Sequence, residues 1–193
     1  MIVRELLSSI RLALVTILVC AVAYPLAILG VAAVASPNGR LGSLIVNEGG
    51  QVVGSKFIAQ AFSQPEYFWP RPSACGYDAA AAAGSNLSPA NPAISERALD
   101  IIANLELNEG QTVPADLVSA SGSGLDPHIS HAAALSQAPR VAKARGMSEN
   151  DIIAEIDRMS ERIPLTAGPE GLIVNVLEIN LSLDQMRASA PRD

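Results

Sequence analysis

Residues 12–35 read LALVTILVCAVAYPLAILGVAAVA, a stretch without a charged side chain that begins after Arg11 and ends before Ser36. As a helix it would be about 36 Å long at about 1.5 Å per residue, which is enough to cross a hydrocarbon core of about 30 Å. The apolar core of a cleavable export signal is shorter, at about 7 to 15 residues. We therefore predict a permanent transmembrane helix over residues 12–35, with a signal peptide cleaved after Ala35 as the alternative.

Pro25 lies near the middle of this stretch, directly after Tyr24. Proline donates no backbone hydrogen bond and frees the carbonyl one turn earlier, and lipid offers that carbonyl no donor. A neighbouring helix would supply a more favourable environment than lipid alone. The pair favours a partner protein within the membrane.

The charges that flank the stretch predict its orientation. Residues 1–11 carry Arg4 and Arg11 against Glu5, whereas Arg40 is the basic residue close to the other end. Short basic segments tend to stay in the cytoplasm, and long domains are translocated largely regardless of their own charge. We therefore expect residues 1–11 in the cytoplasm and residues 36–193 outside it.

The composition of the exported part excludes several classes of protein. The chain has a formal charge of −6, and since Arg4, Glu5 and Arg11 together contribute +1, the exported part carries −7. Such a surface disfavours nucleic acid as a partner. Cys75 is its one cysteine, so an internal disulfide scaffold is excluded.

The exported part contains patterns of both helices and strands, which predicts one α+β domain of ordinary size. Turn residues 47–50 between two β-prone runs predict a hairpin, and Asn91, Asp126 and Ser148 are in positions typical of helix caps. The predicted elements are strands over 44–46 and 51–53, helices over 93–105, 128–135 and 149–162, and a buried strand over 172–181.

Three stretches rich in Gly, Pro, Ser and Asn are long for simple connections, and such loops are often binding surfaces. They cover residues 67–74, 84–92 and 119–127. The first contains Tyr67-Phe68-Trp69 in a chain with few aromatic residues, so this triplet is either a core plug or an interface anchor.

The same stretches resemble a known family, the C subunits of the Kdp-type potassium-transporting ATPase. The resemblance spans nearly the whole chain, and its motifs are Tyr67-Phe68, Arg71-Pro72-Ser73-Ala74, Gly84-Ser85-Asn86-Leu87, Ser121 to Ile129, Arg140 to Gly146 and Val174 to Leu177. Carried over to this chain, it implies partner-contact or family-motif positions at Tyr67, Phe68, Arg71, Pro72, Ser73, Ser85, Asn86, Ser121, Gly122, Ser123, Gly124, Asp126, Pro127 and His128.

The resemblance implies a non-catalytic, single-pass accessory subunit of an inner-membrane complex for high-affinity, ATP-driven potassium uptake. Its expected partners are a channel-like subunit that conducts K⁺, a P-type ATPase subunit, a small hydrophobic subunit and membrane lipid. The resemblance implies ATP as a ligand of the complex and not of this chain. It also implies a role as a catalytic chaperone that raises the ATP affinity of the ATPase subunit. Because ATP is cytoplasmic and the loops are expected outside, such an effect would pass through the membrane helices.

Three other interpretations follow from single motifs. Ser121 or Ser123 with His128 and Asp126 has the residue types of a hydrolase triad, which makes a membrane-anchored periplasmic hydrolase the alternative function. Asp126, His128 and His131 have the types of metal ligands, although no metal is expected because they do not share a helical face. The glycine-rich Ser121 to Gly124 lacks the lysine of a phosphate-binding loop and indicates a loop that leads into an Asp-capped helix.

One compact basic cluster, Arg140, Lys143 and Arg145, lies near the end of a predicted helix. Cations at this end of a helix interact favourably with its dipole. Docking of the cluster against an acidic surface of the channel-like subunit is the alternative interpretation.

Overall fold

The computed structural model describes residues 2–36, 42–47, 49–105, 110, 112–166 and 168–189. The chain divides into two compact units, Met1–Leu44 and Ile45–Asp193. The first contains a long apolar helix, and the second combines helices with antiparallel sheets. This confirms the predicted α+β class with one apolar amino-terminal helix.

The long helix consists of α1 (Ile2–Ile17), a π-helical segment (Leu18–Ala23) and α2 (Tyr24–Ala35). From Ile2 to Ala35 it is long and apolar enough to cross a membrane, and no residue of its most apolar portion is buried in the structure. The predicted span, residues 12–35, lies wholly within this helix.

The π-helical segment explains how the helix continues through Pro25. The backbone N–H of Tyr24 donates to the carbonyl of Val19, five residues back, instead of to that of Cys20. A proline inside a regular α-helix clashes with the carbonyl four residues earlier, and a π-bulge is one of the irregularities that adjust a helix at such a point. The helix therefore accommodates the proline without ending.

The predicted hairpin is confirmed. Strand β1 (Leu44–Val46) pairs with β2 (Val52–Ser55) in a two-stranded sheet. The turn between them is closed by the N–H of Asn47, which donates to the carbonyl of Gln51 over 2.9 Å. Gly50 has a φ of 78°, a left-handed conformation that favours glycine.

The second sheet has three antiparallel strands in the order β3 (His128–Ser130), β5 (Leu172–Asn175) and β4 (Ser160–Arg162). Strand β5 is central and its residue Val174 lies opposite Ile129 of β3. Both side chains are almost fully buried. They attach the sheet to the core.

The predicted helix over residues 128–135 is wrong at its start. The carboxylate of Asp126 accepts the N–H of His128 in a local turn, and the next residues pair with β5 instead of beginning a helix. The helix that follows, α5 (His131–Arg145), is capped by Ser130, whose hydroxyl accepts a backbone N–H of the first turn over 3.0 Å. An Asp-Pro pair thus gave a false helix start.

Two further predicted boundaries are corrected. The helix predicted over 149–162 is α6 (Glu149–Met159), and the residues after it form β4. The strand predicted over 172–181 ends at Asn175, whose side-chain oxygen accepts a backbone N–H of the following helix, α7 (Val176–Ser189), over 3.1 Å. A buried strand and a buried helix give the same continuous apolar sequence, so only the cap separated them.

The helix predicted over residues 93–105 is confirmed as α3 (Pro92–Asn104). The side-chain oxygen of Asn91 accepts the N–H of Ala93 over 3.0 Å, as expected of a cap. A short helix, α4 (Ala115–Val118), follows it.

The core lies between the three-stranded sheet and helices α5, α6 and α7. Alanines on α5 allow that helix to pack closely against α6, whose Ile152 and Ile156 are fully buried. The core residues outside α5 and α6 are Phe68, Leu105, Leu117, Ile129, Val174, Val176, Ile179 and Leu183. A loop residue, Phe68, is thus as deeply buried as the residues of the helices.

Candidate functional site

The structure brings together two of the three loop-like stretches and the start of the other. We call this region the loop junction and define it as residues 65–77, 83–86 and 121–128. It contains all the positions implied by the family resemblance. Contacts that hold it fall into two groups, one with helices α5 and α7 and one among the loops themselves.

Phe68 is held at both of its backbone polar groups by one buried amide. Its N–H donates to Oδ1 of Asn180 over 2.8 Å, and its carbonyl accepts from Nδ2 of the same side chain over 3.0 Å. Asn180 is 1% exposed and Phe68 is fully buried. The amide therefore replaces a strand partner for a loop that passes through the core.

The next residue repeats this arrangement with a different helix. The N–H of Trp69 donates to Oε1 of Gln137 over 2.9 Å, and its carbonyl accepts from Nε2 over 3.1 Å. Gln137 belongs to α5 and is fully buried, whereas Asn180 belongs to α7. The two amides thus fix consecutive residues of the loop to two helices.

Arg140 and Arg145 are occupied within the domain, which corrects the docking interpretation of the basic cluster, whereas Lys143 and Arg145 do lie in the last turn of α5, as the helix-dipole interpretation expected. Arg140 donates to the carbonyls of Pro65 and Tyr67 and stacks on the Trp69 ring at 4.0 Å. Both arginines are buried, so neither presents its guanidinium to a partner surface.

Arg145 binds the beginning of the same loop. Its Nε donates to the carbonyl of Glu66 over 2.7 Å, and its Nη1 lies 2.9 Å from Oδ1 of Asp184. Tyr67 lies beneath this guanidinium at 5.2 Å and contacts Asp184 through its hydroxyl. Partial burial, followed by the charge of Asp184, raises the pKa of Tyr67. Of the three basic residues, Lys143 is the exposed one.

A second charged contact joins the first loop to the third. Nη1 of Arg71 lies 3.0 Å from Oδ2 of Asp126, and both side chains are about one-third exposed or less. Oδ1 of Asp126 accepts the N–H of His128 over 3.0 Å. Burial alone would raise the pKa of Asp126, but the hydrogen bonds from His128 and Arg71 outweigh it and lower that pKa below 3.8.

Ser73 connects three parts of the junction. Its hydroxyl donates to the carbonyl of Gly124 over 2.7 Å and accepts the N–H of Tyr77 over 2.9 Å. It also lies 3.3 Å from the sulfur of Cys75, and this hydrogen bond lowers the pKa of the thiol. Burial raises the pKa of Tyr77, whose hydroxyl donates to the carbonyl of Arg71.

Backbone contacts complete the junction and explain two of its glycines. The N–H of Ala83 donates to the carbonyl of Ser123 over 2.8 Å. A Cβ on Gly84 would lie 2.7 Å from the carbonyl oxygen of Gly122. Gly124 has a φ of 69°, and a Cβ there would lie 2.6 Å from the carbonyl oxygen of Ala83. Both positions therefore require glycine for close approach.

The hydrolase triad is not assembled. The hydroxyl of Ser123 accepts the N–H of Leu125 and lies 3.5 Å from that of Ser121. Within the described part of the chain, neither serine hydroxyl is hydrogen-bonded to His128. Nδ1 of His128 instead lies 3.5 Å from the carboxylate of Asp126, which is already paired with an arginine. A serine without an imidazole base is a poor nucleophile.

The ligands considered for a metal have other partners as well. Nε2 of His131 lies 2.8 Å from Asp157, and its side chain is 18% exposed, so it is not a free surface residue. Among the described residues, no three His, Cys, Asp or Glu side chains form a group that could hold a metal ion.

The glycine-rich segment has no helix directly after it. Residues 121–124 lead into strand β3 and not into the predicted Asp-capped helix. Phosphate cradles use the N–H groups at the beginning of a helix, so this segment lacks the required geometry.

The positions implied by the resemblance therefore divide into buried and accessible ones. Asn86, Gly122 and Ser123 are exposed, and Ser85 is half-buried. Buried or internally bonded positions are Tyr67, Phe68, Arg71, Pro72, Ser73, Ser121, Gly124, Asp126, Pro127 and His128. The exposed positions present the most accessible surface for contact with a partner, and half-buried ones such as Arg71 and Asp126 present less.

The two buried amides, Gln137 and Asn180, were not among the residues predicted from the sequence. Gln137 stands in an alanine-rich run, where a long polar side chain at an inward-facing position was the available signal. Asn180 was assigned to a strand, where its orientation could not be derived. The role of these two side chains is evident only from the backbone groups that they bind in the structure.

Comparison with known proteins identifies the family. The family model described as K⁺-transporting ATPase, c chain, matches residues 6–185. The potassium-transporting ATPase KdpC subunit of Parvibaculum lavamentivorans is 43% identical, over 96% of this chain and 99% of that protein. Those of Caulobacter vibrioides and Geobacter sulfurreducens are 48% and 44% identical over 93% and 95% of this chain, and the matches cover 94% and 98% of those proteins. The chain therefore belongs to the KdpC family of K⁺-transporting ATPase C chains.

Proposed function

We propose that this chain is a non-catalytic, single-pass accessory subunit that helps to assemble and stabilise an ATP-driven potassium uptake complex. The observation that carries the proposal is an apolar helix, Ile2–Ala35, none of whose residues is buried, attached to a domain whose serine, histidine and carboxylate groups are engaged in structural contacts. Relatives named as potassium-transporting ATPase KdpC subunits support the identity of the complex.

The contacts of the loop junction favour a binding role over a catalytic one. Two amides and two arginines fix the first loop to α5 and α7, and such loops present a defined shape without ordering cost on association. The exposed Asn86, Gly122 and Ser123 are then the junction residues that we place against a partner. They are small or polar, as is typical of the adaptable part of an interface.

The proposed partners are a channel-like subunit that conducts K⁺, a P-type ATPase subunit and a small hydrophobic subunit. The span is placed in the inner membrane with residues 1–11 in the cytoplasm, because Arg4 and Arg11 flank its amino-terminal side. With residues 36–193 outside, the chain would raise the ATP affinity of the ATPase subunit only through contacts between membrane helices. ATP itself would bind to the ATPase subunit.

Purification through an affinity tag on this chain tests membership of the complex. We expect a multi-span channel-like protein and a P-type ATPase to copurify in detergent. A matched chain with residues 2–35 replaced by a cleavable export signal should reach the same compartment and lose these partners. Recovery of the tagged full-length chain alone would contradict the proposal.

The proposed effect on nucleotide affinity requires a separate experiment. ATPase activity is measured over a range of ATP concentrations in membranes that contain or lack this chain. We expect a higher KM for ATP without it, and an unchanged KM would reject the chaperone role while leaving assembly intact.

A further inference from the structure

The π-helical segment of the apolar helix leaves one backbone carbonyl without a donor from the helix backbone. The N–H of Tyr24, four residues after Cys20, donates to the carbonyl of Val19 and not to that of Cys20. The donor one residue further on would be that of Pro25, which has no N–H. Neither an α-helical nor a π-helical hydrogen bond can therefore form at the Cys20 carbonyl.

No side chain of the same stretch replaces the missing donor. The hydroxyls of residues 12–35 belong to Thr16 and Tyr24. The Thr16 hydroxyl donates to the carbonyl of Leu12 over 2.9 Å, and the Tyr24 hydroxyl makes no hydrogen bond among the described residues. A donor for the Cys20 carbonyl must therefore come from outside this helix.

The Cys20 carbonyl lies deep within the proposed span. Cys20 follows Leu12 by eight residues, which places it about 12 Å from the nearer end of the apolar stretch at about 1.5 Å per residue. Water is absent from the hydrocarbon at this depth, and a backbone carbonyl without a partner there is costly. A donor on a neighbouring helix would remove this cost.

The surroundings of the carbonyl restrict the chemistry of that donor. Residues 12–35 contain no carboxylate, so a lysine or arginine of a neighbouring helix would be buried without a counter-charge. Tyr24 is 64% exposed in the adjacent turn, and its hydroxyl can both donate and accept. Serine, threonine, asparagine and glutamine donate without a charge and also offer an acceptor to the phenol, so these four residue types fit both groups.

We propose that the carbonyl of Cys20 accepts a hydrogen bond from a serine, threonine, asparagine or glutamine on a transmembrane helix of another subunit. Carbonyls of a helix point towards its carboxyl end, so the partner helix would cross at the turn that contains Tyr24 and Pro25. The bond would fix the depth and the rotation at which the two helices meet. The inference rests on the proposed function as a membrane subunit and names a contact through which the subunit is held.

Infrared spectroscopy of the Cys20 carbonyl tests the proposal, because a hydrogen bond lowers the frequency of an amide carbonyl. The full-length chain is produced with cysteine that is isotopically labelled at the carbonyl carbon, both alone and within the purified complex. Each preparation is reconstituted into phosphatidylcholine vesicles. Subtracting the spectrum of a matched Cys20→Ala preparation removes all other labelled cysteines and leaves the band of residue 20.

We expect this band at a lower frequency in the complex than in the chain alone. The control is Pro25→Ala, in which the regular helical hydrogen bonds can form, so its band should be at the lower frequency in both preparations. Equal frequencies for the wild-type chain in the two preparations would overturn the proposal. The carbonyl would then have no donor in the complex, or would find one in water or a second copy of this chain.

Photocrosslinking identifies the partner helix and tests the chemistry of the donor. A photoreactive phenylalanine replaces Tyr24 in the purified complex, and the attached segment is mapped by mass spectrometry. The segment should contain a serine, threonine, asparagine or glutamine within one helical turn of the crosslink. Replacing that residue by alanine should return the Cys20 band to its frequency in the chain alone, and a segment without such a residue or an unchanged band would refute the proposed donor.

Recovery of the complex separates this proposal from the proposed function. A tagged chain that is recovered without any other membrane subunit would refute both. A complete complex in which the Cys20 band is not shifted would refute the hydrogen bond alone and leave the accessory role intact.

Discussion

Asn180→Ala should lower the free energy of unfolding of the domain more than a substitution of any exposed residue. The variant leaves two buried backbone groups of Phe68 without partners. The amide oxygen and nitrogen bind the N–H and carbonyl of Phe68 at 2.8 and 3.0 Å. Each buried polar group left unsatisfied costs about 1–3 kcal/mol, and the truncated side chain also leaves a small cavity. We expect a total loss of about 3–5 kcal/mol, a large part of a typical stability of about 5–15 kcal/mol.

The assay uses the one tryptophan of the chain, Trp69, which directly follows Phe68. Urea unfolding of the full-length protein in detergent, followed by Trp69 fluorescence, reports the free energy of unfolding of the exported domain. The control is Asn150→Ala, which removes an exposed amide from α6 and should change stability by less than about 0.5 kcal/mol.

Asn180→Asp separates the hydrogen bonds from the packing. The variant keeps the acceptor for the Phe68 N–H but places a carboxylate oxygen against the Phe68 carbonyl. The pKa of the new carboxyl should rise in the folded state, since only its protonated form can donate there. Its stability deficit should therefore shrink as the pH falls towards 4. A loss below about 1 kcal/mol for Asn180→Ala, or a deficit of Asn180→Asp that is independent of pH, would refute this role of the amide.

The remaining predictions concern the other contacts of the junction. Asp126→Asn should lower the free energy of unfolding by about 1 kcal/mol near neutral pH. Because the folded-state pKa of Asp126 is lowered, the ionised carboxylate contributes this stability above pH 3.8 and loses it as the pH falls further. The unfolding curves of wild type and variant should therefore converge in acid. Gly84→Ala should cost about 1–3 kcal/mol in the same urea assay, because its Cβ meets a backbone carbonyl, and an unchanged midpoint would contradict this. Arg145→Met should cost about 2 kcal/mol through loss of its bonds to a loop carbonyl and to Asp184, whereas the exposed Lys143→Ala should be within about 0.5 kcal/mol of wild type; equal losses would refute the distinction.

Local patterns predicted the elements whose signals lie within a few residues. The apolar run to Ala35, the hairpin turn at 47–50 and the Asn91 cap each determine their own structure, and all three are confirmed. The helix start predicted after Asp126 was wrong, because an Asp-Pro pair can close a turn before a strand as well as cap a helix. That choice is made by pairing with β5, more than forty residues away, which no local pattern contains.

The candidate site was predicted only in part, because the contacts that hold it also join distant segments of the chain. Its loops were identified by composition, but the groups that hold them are on α5 and α7. Arg140 and Arg145 seemed available as charges because their sequence spacing fits a helix end, yet long-range contacts with loop carbonyls bury them. Such side chain to backbone contacts between distant segments leave no periodic signal.

ATP-driven K⁺ uptake into membrane vesicles tests the central claim most directly. Vesicles are prepared from cells that express the other subunits with or without this chain, and uptake is compared at low external K⁺. We predict that uptake is lost without the chain and restored by its expression, while the purified chain alone hydrolyses no ATP. Full uptake in its absence would contradict its role as a subunit of the pump.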